Sequence, residues 1–158
     1  MIKIVAVGKV KEKYTRDGID EYCKRLGPYT KLEWIEIKDY PCAPNASVAE
    51  QEIVKEKEGD AILSKIGDDE VVIALDLHGK EYSSEEFSKV LSDLFIYESS
   101  KVTFVIAGSL GYSQKVIKRA NVRWCLSKCT FPHQIVRLLL VEQIYRAYKI
   151  TKNENYHK

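Results

Sequence analysis

Apolar positions fall into short continuous runs separated by longer amphipathic stretches. Ile2–Val7 is an apolar, β-branched run ending at Gly8, which predicts a buried strand. A basic loop follows (Lys9, Lys11, Lys13), then a helix near Arg16–Leu26 stopped by Gly27-Pro28. Lys31–Ile37 alternates, with Leu32, Trp34, Ile35 and Ile37 apolar, and reads as a second strand; Pro41, Pro44 and Asn45 make Asp39–Ala46 a loop. Ser47-Val-Ala-Glu50 has the form of a capping box and opens a charged helix to about Ile66. Val71–Leu75 is another buried strand, closed by Asp76 and Gly79, and Ser83-Ser-Glu-Glu86 is a second capping box for a helix to about Tyr97. Val102–Ala107 is a third apolar strand running into Gly108-Ser-Leu-Gly111. A short helix over Gln114–Ala120, a strand at Arg123–Leu126, a loop at Ser127–Phe131 and a helix from Pro132 to about Ile150 complete the pattern, before a polar tail.

Strands alternate with helices throughout, and the central strands are apolar on both faces. That pattern predicts one α/β domain over residues 1–158, with a mostly parallel sheet flanked by helices. Ligands of such sheets bind beyond the carboxyl ends of the strands, which directs attention to the loops after Leu75, Ala107 and Leu126.

Composition adds little until it is resolved by position. The chain has 158 residues, is 45% hydrophobic and carries a formal net charge of +2, ordinary values that exclude a disordered or low-complexity chain. From Gly111 onward, however, ten Lys and Arg face only Glu142 and Glu154, a net +8, which leaves −6 on residues 1–110. A basic C-terminal third can mark a polyanion site, although charge alone is better met by a clustered, solvated surface. The apolar start is too short for a signal peptide and no run reaches the roughly 18–20 residues of a membrane helix, so the expectation is a cytoplasmic chain with reduced thiols. Cys125, Cys129, His133 and His157 match no usual zinc spacing, and no metal is expected.

The glycines of Gly108–Gly111 permit close backbone approach to a ligand but form neither a dinucleotide fingerprint nor a P-loop. Leu126–Phe131 supplies hydroxyls, amides, an aromatic and a cation, a mix that suits an amphipathic cofactor such as a nucleoside. The helix after Pro132 is apolar nearly all round, which predicts cover on most sides, including by a second subunit. Arg137 projects from its apolar stripe and must meet a carboxylate, a phosphate or carbonyls. Glu142 and Arg146 stand at i, i+4. The tail Asn155-Tyr-His-Lys158 combines a phenol, an imidazole and a cation, yet short polar termini ordinarily fray.

Together, Phe104–Gly111, Leu126–Gln134, Arg137, Glu142–Ala147 and the ending Tyr156-His-Lys158 resemble the bacterial ribosomal large subunit methyltransferase H family, minimal members of the SPOUT (α/β-knot) superfamily. Met1–Gly8, Lys9–Tyr14 and Lys24–Tyr29 extend the resemblance over the whole chain. It implies a homodimer with a C-terminal trefoil knot that uses S-adenosylmethionine, releasing S-adenosylhomocysteine. The implied reaction is methylation of N3 of a pseudouridine in helix 69 of 23S rRNA on the assembled ribosome. Carried over by position, the cofactor would lie on Leu75, Ala107, Gly108, Leu126, Ser127, Lys128, Cys129, Thr130 and Phe131; where Ala107-Gly108 stands, the family usually has Gly-Gly. His157 would act as base or substrate orienter, with Tyr156, while Arg137 and Arg146 would contact phosphate or stabilise the anionic base. His133, Arg146 and Lys158 would meet RNA, with Glu142 bracing the arginines. The alternative left open is a non-catalytic ribosome- or RNA-binding module of the same fold, which Ala107 favours.

Overall fold

Five strands and five helices alternate along residues 1–158, all of which the computed structural model describes. They are β1 (Ile2–Val7), α1 (Lys13–Leu26), β2 (Leu32–Ile37), α2 (Val48–Leu63), β3 (Val71–Glu81), α3 (Ser84–Tyr97), β4 (Val102–Ile106), α4 (Gln114–Arg119), β5 (Val122–Cys125) and α5 (His133–Thr151). The strands form one sheet in the order β2-β1-β4-β3-β5, and every pairing is parallel.

The period-2 alternation of the strands divides the core into two layers. Ile2, Ile4 and Ala6 of β1, Ile73 of β3, and Val102, Phe104 and Ile106 of β4 face α1, α3 and α5, where they pack with Ile19, Leu26, Phe87, Leu140 and Ile144. Val5, Val7, Val72 and Val105 face the other way, against Ile62 of α2 and Val116 of α4. Trp124 of β5 stacks on Phe87 with ring centroids 3.9 Å apart. No residue of α5 from Gln134 to Ile150 is fully exposed, because α1 and α3 pack along it. Much of the cover that its apolar character demanded is therefore supplied within the chain.

Several boundaries differ from the sequence reading for identifiable reasons. α1 starts at Lys13, not Arg16. β3 continues past Leu75 to Glu81 through an irregularity, after which Lys80 and Glu81 pair again with β5. Gly79 allows this: a Cβ there would lie 2.5 Å from the Arg123 carbonyl. Ser83 and Glu86 form the full reciprocal capping box. Ser47 accepts from the Glu50 amide at 3.2 Å, but the return bond is not made. Pro132 precedes the first helical residue of α5 rather than occupying it.

Two polar contacts stitch the sheet. Beside its second face, Glu70 accepts from Lys3 Nζ at 2.6 Å and from the Thr103 hydroxyl, and Lys3 also donates to the Lys65 carbonyl at 2.8 Å. Burial alone pushes the Glu70 carboxyl up, but Lys3 and Thr103 outweigh it and hold the group below the ordinary glutamate range. At the carboxyl edge, the Tyr112 hydroxyl lies 2.7 Å from the Leu75 carbonyl and 2.8 Å from that of Val105, holding the ends of β3 and β4 together. Burial raises its phenol pKa, so it remains a donor.

Glu70→Ala leaves the Lys3 ammonium buried and unpaired, and is expected to cost about 3 kcal/mol in urea unfolding at neutral pH. A depressed folded-state pKa means that the Glu70 contribution is complete above the ordinary value of about 4.3 and fades as pH falls through the folded-state value. The gap between wild type and Glu70→Ala should thus narrow below about pH 4. Tyr112→Phe removes one hydrogen bond and should cost about 1 kcal/mol by the same measurement.

Candidate active site

A cavity of about 640 Å³ opens at the carboxyl ends of β3, β4 and β5, within the size range of small-molecule sites. Leu75, Ala107, Gly108, Leu126, Ser127, Cys129, Thr130 and Phe131 all line it. Lys128 is absent from the lining, and its exposed ammonium lies 3.9 Å from Glu81. His133 lines the cavity too, although the resemblance gave it to RNA. Sequence reasoning missed Asp76, Leu77 and His78, which the continuation of β3 brings in, and Lys55, which reaches in from the middle of α2 and has no local signal.

The turn after β4 distinguishes its small residues. Gly111 has φ +90°, which favours glycine. At Gly108 a Cβ would come 3.1 Å from Glu58 Oε1 and 3.2 Å from Val7 Cγ1, so the constraint there is space. Ala107 has no positive φ, and its methyl is accommodated in a nearly buried position of the lining. The loop after β5 is held from within: the Cys129 amide donates to Ser127 Oγ at 3.0 Å, and Cys125 Sγ to the Ser127 carbonyl at 3.1 Å. Asp76 accepts from Arg123 Nε at 2.8 Å and from the His78 amide at 3.0 Å, fixing the opposite rim.

α5 supplies the next part. Arg137 is 1% exposed and donates from Nη2 to the carbonyls of Val7 at 2.6 Å and Gly8 at 2.9 Å, with Glu36 3.7 Å from Nη1. Of the partners its apolar setting allowed, the fold supplies mainly carbonyls, and Arg137 is not on the exposed basic face. Its Nε and Nη1 have no hydrogen-bond partner, and burial lowers its pKa. Burial, and then the neighbouring Arg137, also hold the His133 imidazole below its ordinary value. Gln134 Oε1 accepts from the amides of Lys11 at 2.9 Å and Glu12 at 3.3 Å, tying α5 to the loop after β1.

The last turns of α5 organise the tail. Glu142 Oε1 accepts from Arg146 Nε and from the Tyr156 hydroxyl, both at 3.0 Å, and Tyr156 lies 3.2 Å from the Tyr22 hydroxyl. The Tyr156 ring meets Tyr145 edge-on at 4.8 Å, with Arg146 4.7 Å over it. Burial, then Tyr22 and Glu142, push its phenol pKa up, so Tyr156 is a proton donor rather than a phenolate. His157 is bound at both nitrogens: Arg146 Nη1 lies 3.1 Å from Nδ1 and Glu85 Oε1 lies 2.7 Å from Nε2. Because guanidinium only donates, Nδ1 accepts and the proton sits on Nε2, donated to Glu85. The tail is therefore packed, with Tyr156 and His157 half-buried and only Lys158 fully exposed among its last three residues. The frayed end that its composition favours is not what forms.

Cavity and tail cluster do not meet within one chain. His133 and Arg146 stand at opposite ends of α5, about 20 Å apart along the helix. The fold also offsets part of the linear charge asymmetry: Lys115 lies 3.5 Å from Glu56 and 3.4 Å from Asp60, and Arg123 binds Asp76 at 2.6 Å.

A family model described as predicted SPOUT methyltransferase matches residues 1–157. Ribosomal RNA large subunit methyltransferase H 1 of Clostridium perfringens (strain SM101 / Type A) is 55% identical over 157 residues, covering 99% of both chains. Ribosomal RNA large subunit methyltransferase H of Desulfitobacterium hafniense (strain Y51) is 54% identical, covering 99% of this chain and 98% of its own. Among solved structures, a probable methylase family protein from Haemophilus influenzae Rd KW20 shares the fold, with a TM-score of 0.54 over 99% of this chain and 70% of that one at 12% identity. The parallel α/β sheet, the cavity at its carboxyl edge and these matches together place the chain in the SPOUT methyltransferase family, beside the ribosomal RNA large subunit methyltransferases H.

Proposed function

We propose that this chain is an S-adenosylmethionine-dependent methyltransferase that acts on N3 of a pseudouridine in helix 69 of 23S rRNA, on the assembled ribosome and in the cytoplasm, as a homodimer with a knotted C-terminal segment. The observation that carries the reading is the cavity at the carboxyl edge. It is lined by the segments that carry the resemblance, and relatives of more than 50% identity are named for methylation of large-subunit ribosomal RNA. No helix is long and apolar enough to cross a membrane.

The lining fits the cofactor. Leu75, Leu126 and Phe131 offer apolar walls for an adenine, and the turns at Ala107–Gly111 and Ser127–Thr130 offer backbone to its polar parts. Bound there, S-adenosylmethionine supplies a methyl group on a sulfonium. The chain's own task is to place the target nitrogen in line with that methyl while the N3 proton passes to solvent water. Both His157 nitrogens are engaged, Nδ1 by Arg146 and Nε2 by Glu85, so His157 acts as an orienter that holds the tail in place rather than as the base. Tyr156, held neutral, gives its hydroxyl proton to Glu142 and fixes the tail with it. Arg137 is a positioning residue that fixes the end of β1 beside the cavity. Arg146 and Lys158 face RNA, and Glu142 braces Arg146.

The distance along α5 between cavity and tail supports a dimer, since a second copy is what could bring a tail to a cavity. Ala107 is buried and has no positive φ, so the turn itself does not require glycine there, which supports the catalytic reading over a non-catalytic binder.

Mass spectrometry of ribosomal RNA from cells lacking the protein should show one methyl missing from a pseudouridine; an unchanged modification pattern would overturn the reading. Calorimetry should detect S-adenosylmethionine binding, weakened in Gly108→Val. His157→Ala should lower kcat by about 100-fold on purified ribosomes while leaving cofactor affinity intact; normal turnover would remove His157 from the site. Sedimentation at micromolar concentration should give a dimer.

A further inference from the structure

The cations of the loop after β1 have no role in the proposed reaction as described. All five strands run the same way, so this loop opens on the same edge as the cavity, and β1 is hydrogen-bonded directly to β4, whose turn lines it. Lys9, Lys11 and Lys13 are exposed there. Tyr14, next in line, is 67% exposed. Lys13 pairs with Asp17 at 2.6 Å in a fully solvated contact, while Lys9 and Lys11 form no ion pair.

The backbone that presents these side chains is held in place. Gln134 accepts from the amides of Lys11 and Glu12, Arg16 donates to the Val10 carbonyl at 2.8 Å, and Val10 packs on the core. Gln134 follows His133, which lines the cavity, so the lysines project from a fixed rim of the site. Glu12, the N-cap of α1, and Asp17 offset part of this charge, but Arg16 adds to it and the segment from Lys9 to Asp17 stays net positive.

We propose that Lys9, Lys11, Lys13 and Tyr14 form a docking surface for the single-stranded RNA that flanks the target nucleotide, the lysines taking phosphates and the Tyr14 ring stacking on an unpaired base. The inference rests on the reading of the substrate as RNA. Charge complementarity, an exposed aromatic beside lysines and continuity with the cavity together select a nucleic acid strand. A lysine that neutralises a phosphate contributes a salt-dependent term to affinity, and base–aromatic stacking contributes a term that salt leaves largely unchanged.

The test uses the full chain, purified 70S ribosomes and S-adenosylmethionine over a range of potassium chloride concentrations. Lys9→Ala/Lys11→Ala should reduce the slope of log affinity against log salt by about 1.5 and raise KM for ribosomes about tenfold. The loss should fall on KM rather than kcat, with calorimetric cofactor affinity and the melting temperature as in wild type. Tyr14→Ala should weaken ribosome binding with no change of slope, and Tyr14→Phe should restore it. If wild type methylates ribosomal RNA and the double lysine variant matches it in KM and salt slope, the docking surface is wrong while the methyltransferase reading stands. If wild type neither binds nor methylates ribosomes, both fall.

Discussion

The structure depends on burying both faces of a parallel sheet. β1, β3 and β4 carry apolar side chains on successive residues, so neither face can be left to water. Helices must cover both, and each parallel connection must return to the same end of the sheet. α1, α3 and α5 cover one face and α2 and α4 the other. The chain consequently leaves every strand on one edge, and five loops of unrelated sequence become neighbours. Cavity, glycine turn and basic loop are products of that constraint rather than of any local motif.

α5 converts this arrangement into a site. Its first turns face the cavity through His133 and Val136 and grip the end of β1 through Arg137, while Gln134 holds the next loop. Its last turns carry Glu142 and Arg146, around which the tail folds back. One rigid helix thus sets the distance between the cavity and the tail cluster. Burying a guanidinium with two nitrogens unpartnered is costly, and such a cost is tolerated where a side chain fixes functional geometry. Arg137 is better understood in those terms than as a surface cation.

Charge shows how far linear reading can mislead. The C-terminal third is strongly basic along the sequence, but Glu56, Asp60 and Asp76 from the acidic body meet two of its cations, Lys115 and Arg123, in space. Exposed pairs of this kind add little to stability, yet they cancel local potential. Unpaired positive charge beside the cavity is found instead at Lys9 and Lys11, in the part of the chain that sums to a net negative value.

By itself the sequence determined the order and type of all ten elements, the parallel α/β architecture and the loops that line the cavity. Those properties follow from short-range terms: periodicity, caps such as Ser83 with Glu86, and glycine at Gly108 and Gly111. Only the tertiary structure decided that β3 continues past Leu75, since that depends on Gly79 lying against Arg123. Likewise it decided that Arg137 is buried, that Lys128 is not in the cavity lining, and that the tail is packed with both His157 nitrogens engaged. Each of these turns on contacts between residues far apart in sequence, such as Glu85 with His157 or Tyr22 with Tyr156, and a local pattern carries no record of which distant partner will arrive.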